Sequence, residues 1–67
     1  FSRHVLGQRL ERAHRLLRDP RLARVKISDI ALNAGFTDLS YFNRSYRHRF
    51  NETPSTTRVN AALKKDP

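Results

Sequence analysis

Apolar residues recur at helical spacing along the first third of the chain. Leu6, Leu10, Ala13 and Leu17 are separated by four, three and four positions, which places them on one stripe of a helix. Gln8, Glu11, Arg12, Arg15 and Arg18 fall on the other side, with Glu11 and Arg15 spaced for an i,i+4 ion pair. Ser2 is a candidate N-cap and Pro20 a stop, so the pattern predicts a helix over 3–19. Gly7 interrupts its interior, at about 1 kcal/mol relative to alanine. Val5 and Leu16 lie off the main stripe and predict a second packing surface.

Residues 20–26 read as a short basic loop. Ser28 is then the expected cap of a second helix, Asp29 favours its positive end, and Gly35 supplies its stop. Ile30, Ala31 and Ala34 share one side of it. A helix this short is marginal in water, where about 12 residues are needed, so something must pack on it. Asp38 can cap a third helix over 39–50. Its predicted inner stripe is Leu39, Phe42, Tyr46 and Phe50, and its opposite face carries Ser40, Asn43, Arg44 and Arg47. Thr53 followed by Pro54 is a cap and a first helical position. The last helix is expected over 54–65, through Val59, Ala62 and Leu63 into a basic tail. No repeat, low-complexity stretch or linker appears. The expected fold is all-α, a helix-turn-helix bundle of about four helices in one unit over 1–67.

Composition narrows the function. At 67 residues the chain is one domain or part of one, burying about 60% of its unfolded surface, which leaves no room for a deep catalytic cavity. Without cysteine it has neither a disulfide framework nor a thiolate zinc site, and no cofactor is expected. His4, His14 and His48 form no metal-ligand pair, and the six acids show no convergent pair for general acid–base work, so no enzyme is expected. No apolar run approaches the roughly 18 residues of a membrane span, so a cytoplasmic setting is expected. The chain opens on Phe1 rather than Met, which reads as a segment of a longer protein.

Charge supplies the positive clue. The formal net charge is +8, and eleven of the fourteen cations are arginine, whose planar fork suits phosphates and base edges. Residues 1–26 carry eight basic and two acidic side chains, whereas residues 27–43 carry two acids and no base. Such blocks favour a polyanion partner over a uniformly solvated surface.

A short helix, the turn Gly35-Phe36-Thr37 and a longer amphipathic helix compose a helix-turn-helix pattern. Ala31 is small where the helices approach, and Gly35 permits the left-handed backbone of the turn. Phe36 follows as a core residue. The third helix then shows solvent a polar, arginine-bearing face suited to a major groove, where arginine reads guanine and asparagine reads adenine.

Residues 27–58, ISDIALNAGFTDLSYFNRSYRHRFNETPSTTR, resemble the second helix-turn-helix of AraC/XylS-family transcription regulators. The resemblance is carried by Ile27, Ile30, Ala31, Gly35, Phe36, Ser40, Phe42, Arg44, Phe50, Thr53, Pro54 and Arg58. The upstream RLERAHRLL, residues 9–17, is similar to the family's linker helix. The resemblance implies a homeodomain-like fold and sequence-specific binding of double-stranded promoter DNA in bacterial transcription regulation. It implies base contacts from Leu39, Ser40, Asn43 and Arg44, and backbone contacts from Arg47, Tyr41, Thr37 and Ser28. Leu39 remains divided between the inner stripe and a thymine methyl. Arg9, Arg12, Arg15 and Arg18 read more readily as a solvated face than as a phosphate row, and Arg58 as a structural pairing. A parent regulator would also contact RNA polymerase and carry an effector-binding domain and a first helix-turn-helix subdomain, both missing here.

The chain departs from the family pattern at three places. Tyr46 stands where phenylalanine is usual, Asn51 replaces the usual glycine, and Thr57 replaces a common aromatic, which predicts looser docking of the last helix. The competing class is a cationic amphipathic module for a protein partner or an anionic membrane surface, for which the first helix qualifies. RNA is a third option, although no exposed stacking platform is evident.

Overall fold

The computed structural model describes residues 3–63. Ser2, and Lys64 and Lys65 of the expected last helix and tail, lie outside the described residues. Four α-helices follow one another: α1 (Arg3–Arg18), α2 (Ile27–Asn33), α3 (Leu39–Phe50) and α4 (Pro54–Leu63), with a 3₁₀ turn at Pro20–Leu22 between α1 and α2. There is no strand among the described residues, so the expectation of an all-α helix-turn-helix bundle is met.

The central helix is α1, which packs against each of the other three. Its stripe does what the periodicity predicts, with Leu10, Ala13 and Leu17 buried and Leu6 packed against them. Ile30 and Ala31 meet that stripe from α2, Ala34 and Phe36 from the turn, and Phe42 and Tyr46 from α3. This burial holds the seven-residue α2, which could not stand alone. The rings of Phe36, Phe42, Tyr46 and Phe50 follow one another at tilted angles, with centroids 5.0, 5.6 and 4.6 Å apart. Phe42 is fully buried in that line, and removing such a ring costs about 3–5 kcal/mol.

Several local expectations are corrected. Helix α1 ends at Arg18, and Asp19 instead caps the 3₁₀ turn by accepting the Arg21 N–H at 2.9 Å. The Arg21 side chain also hydrogen-bonds Asp19 and holds its carboxyl below the usual range, but this pair is solvent-exposed and adds little. Leu16 is no separate surface, because it packs against the main core. Glu11 pairs not with Arg15 but with Arg49 of α3, at 3.0 Å. The Arg49 guanidinium lies across Gly7, where an added Cβ would sit 3.5 Å from it.

The apolar residues expected along the last helix do not form its packing face. Val59 and Leu63 are exposed, and α4 docks through Pro54 and Thr57 instead. The Thr57 hydroxyl donates to the Glu52 carboxylate, and the Tyr46 hydroxyl lies 2.8 Å from Thr57 Oγ1. His14 Nδ1 lies 2.9 Å from the same Tyr46 oxygen, and its ring stacks on Phe50 at 4.4 Å. A carboxylate only accepts, so the chain has one direction: His14 Nδ1–H to Tyr46, Tyr46 to Thr57, Thr57 to Glu52. The chain ties α1, α3 and α4 together. Thr57 therefore docks α4 by hydrogen bonding rather than loosening it, because Tyr46 brings the hydroxyl that a phenylalanine would lack. Arg58 adds a second tie, donating to the Leu22 carbonyl at 3.3 Å, as its structural reading anticipates.

Candidate nucleic-acid interface

The turn that aims α3 is built from three local devices. Gly35 takes φ 104°, a conformation that side chains resist. Arg9 of α1 packs over it, donates to its carbonyl at 3.4 Å, and would meet an added Cβ at 2.9 Å. Asp38 then caps α3, accepting the Tyr41 N–H at 3.1 Å. At the far end Asn51 closes the helix at φ 63°, its N–H on the Arg47 carbonyl at 2.8 Å.

Between those ends, Phe42 and Tyr46 fix the rotation of α3 by filling the core. The opposite face is left to solvent, and Ser40, Asn43, Arg44 and Arg47 are all exposed on it. Leu39 is 44% exposed, so it joins this outer face and is no part of the inner stripe. Thr37 is exposed at the turn. Tyr41 is half-buried, its ring 6.3 Å from Phe36. Thus Leu39, Ser40, Asn43, Arg44, Arg47 and Thr37 share one accessible surface, with Tyr41 at its edge.

Ser28 is placed differently from its expected role. Helix α2 begins one residue earlier, Lys26 holds the N-cap position without a side-chain bond, and Ser28 sits half-buried in the first turn. Ile27 is drawn into the helix because its side chain packs on the core. Ser28 is thus near the amino end of α2 but does not cap it.

Arg44 and Arg47 carry the positive charge of the face, with the exposed Asp38 cap at its amino edge. Among the described residues the ion pairs are Arg21 with Asp19 and Arg49 with Glu11, so no carboxylate neutralises Arg44 or Arg47. A shallow groove of about 360 Å³ runs along the carboxyl half of α3, lined by Asn43, Arg44, Arg47, His48 and Asn51, with no acid among them. His48 and Asn51 join the residues that the sequence pattern points to. The signal available for them was the i,i+4 relation of His48 to Arg44 and of Asn51 to Arg47. No group of three or more His, Cys, Asp or Glu among the described residues could hold a metal. None of the described helices is long and apolar enough to cross a membrane.

A helix-turn-helix domain family matches residues 1–60. The chain belongs to the AraC/XylS-type helix-turn-helix family. Its relatives include the transcriptional activator RhrA of Rhizobium meliloti, 52% identical over 62 residues, which are 92% of this chain and 19% of RhrA. The regulator CdhR of Pseudomonas aeruginosa is 44% identical over 63 residues, 94% of this chain and 18% of CdhR. ExsA of the same organism is 47% identical over 54 residues, 81% of this chain and 18% of ExsA. The chain therefore spans about a fifth of the length of these AraC-type relatives. No solved structure matches it significantly. As a member of this family it is a DNA-binding module of transcription regulation.

Proposed function

We propose that the chain is the C-terminal DNA-binding subdomain of a bacterial transcription activator, with α3 seated in the major groove of promoter DNA. The observation that carries this reading is the outer face of α3, where Arg44 and Arg47 stand exposed without a carboxylate partner beside Ser40 and Asn43. Arg44 reads a guanine through two parallel N–H donors, and Asn43 and Ser40 hydrogen-bond neighbouring base edges. Leu39, exposed at the start of the helix, meets a thymine methyl. Arg47, Thr37, the Tyr41 hydroxyl and the amino end of α2 at Ser28 contact the sugar-phosphate strands. These contacts set the register of the helix and carry no sequence information themselves.

The parent protein works in the cytoplasm by binding rather than catalysis. A first helix-turn-helix subdomain there fills the neighbouring major groove, a further domain senses an effector, and the bound regulator contacts RNA polymerase. The linker role of α1 belongs to that arrangement. Alone, one recognition helix holds DNA near the non-specific range of roughly 10⁻⁴ to 10⁻⁶ M.

The test is a salt titration of binding to a pool of random duplexes, followed by sequencing of the retained fraction. A log–log slope of several units together with an enriched motif a few base pairs long is expected. The same slope with no enrichment means that the module grips phosphate without reading sequence. Absence of binding at low salt moves the function to a protein partner or an anionic surface.

A further inference from the structure

Beyond the base-reading residues, one histidine stands on the recognition helix, and the charged side chains that share its grooves are all arginines. His48 is exposed one turn beyond Arg44 and beside Arg47. It lines two grooves at once. One runs along the carboxyl half of α3 with Asn43, Arg44, Arg47 and Asn51. The other lies between α3 and the amino half of α1, bounded by Leu6, Gly7, Leu10, Tyr41, Arg44, Ser45 and Arg49. Neither contains a carboxylate. From α3, Arg44, Arg47 and Arg49 face the imidazole, and the groove residues from α1 carry no charge. The nearest acid of α1, Glu11, is already held by Arg49 at 3.0 Å.

Helix geometry sets what His48 meets when α3 is seated. A helix rises about 1.5 Å per residue, so His48 lies about 12 Å along the axis from Ser40. The major groove is about 12 Å wide. With the amino end of α3 at the base edges, His48 stands at the lip of the groove, where a sugar-phosphate strand passes. Imidazoles change charge between about pH 5 and 8. No carboxylate lines either groove beside the ring, so the counter-charge that a seated α3 offers it is the phosphate of the bound duplex.

Building on the proposed seating of α3 in the groove, we infer that His48 is a proton-linked phosphate contact: binding of DNA draws a proton from solvent onto the imidazole, which then donates N–H to a backbone phosphate oxygen. The consequence is a module whose grip on DNA tightens as pH falls below neutrality, without a change in the bases it reads. The effect belongs to phosphate contact, so it acts equally on all sequences and adds one contact to the salt dependence.

The experiment measures dissociation constants for this chain on a random-sequence duplex between pH 5.5 and 8.0 at fixed low salt, by fluorescence anisotropy. Affinity is expected to rise about three- to tenfold toward pH 5.5, as one charge-assisted phosphate contact is added. The log–log salt slope is expected to steepen by about 0.9. In His48→Gln both changes vanish and affinity stays at the pH 8.0 level. In His48→Arg affinity is high and flat across the range, whereas His4→Gln keeps the wild-type dependence. Wild-type binding that does not vary with pH, or a pH dependence that survives in His48→Gln, overturns the inference while leaving α3 as the DNA-binding helix. Failure to bind the duplex at any pH instead removes the seating of α3 on which the inference stands.

Discussion

Tyr46 of α3 and Thr57 of α4 are held oxygen to oxygen at 2.8 Å inside the bundle, each almost wholly buried. The two hydroxyls answer one another. The tyrosine hydroxyl needs a buried partner, and the threonine supplies it while passing its own proton toward Glu52. Tyr46→Phe should cost about 1–3 kcal/mol, because His14 Nδ1–H loses its acceptor in a partly buried place. Thr57→Val should cost a similar amount. In urea denaturation the double variant should fall short of additivity by about 0.5–3 kcal/mol, the range for contacting residues. Strict additivity would show that the two hydroxyls do not act together.

The same tyrosine sets an alkaline limit. Burial pushes the Tyr46 phenol above its usual value. A raised folded-state value means that the folded chain holds the phenolic proton more tightly than the unfolded chain. That contribution is fully present below about pH 10, the ordinary phenol value, and is lost as pH rises through the higher folded value. Thermal melts of the wild type should decline above pH 10 more steeply than those of Tyr46→Phe. Parallel declines would place the alkaline loss elsewhere.

The two glycines should respond in opposite directions to alanine. Gly35 has φ 104° and lies under Arg9, with an added Cβ at 2.9 Å from Nε, so Gly35→Ala should destabilise by about 1–3 kcal/mol. At Gly7 a Cβ would meet the Arg49 guanidinium at 3.5 Å, an ordinary contact, inside a regular helix. Gly7→Ala should therefore stabilise by up to about 1 kcal/mol. Matched denaturation curves of the two variants decide both signs.

Arg44 and Arg47 should differ in kind. Arg44→Ala should cost about 1–3 kcal/mol on the enriched site and relax selectivity at one base pair. Arg47→Ala should weaken all duplexes alike and reduce the salt slope by about 1. If Arg44→Ala also weakens every sequence equally, its guanidinium touches only phosphate.

Much of this fold is written locally in the chain. The Asp38 cap, the left-handed Gly35 and Asn51, and the Thr53 cap, which accepts the Thr56 N–H at 3.1 Å, are all set by residues within four positions of one another. What escaped was decided across the bundle. Glu11 chose Arg49, thirty-eight positions away, over Arg15 four away, because α3 brings its guanidinium across Gly7. Thr57 looked like a weak docking residue until the Tyr46 hydroxyl was placed beside it. Leu39 has the spacing of a core residue, yet it begins α3 where the turn has already carried the chain clear of the core, and it is left 44% exposed. The polar face of α3 was legible by periodicity, but the roles of its residues depend on a partner that the chain alone does not contain.

On the proposed reading, the outer face of α3 is the surface that meets DNA. Backbone amide chemical shifts, recorded while a short duplex is titrated into the labelled chain, test it most directly. The largest changes should fall on residues 37–48 and on the first turn of α2, with α1 and the exposed side of α4 nearly unmoved. Changes centred on Arg12, Arg15 and Arg18 of α1, with α3 silent, would contradict it.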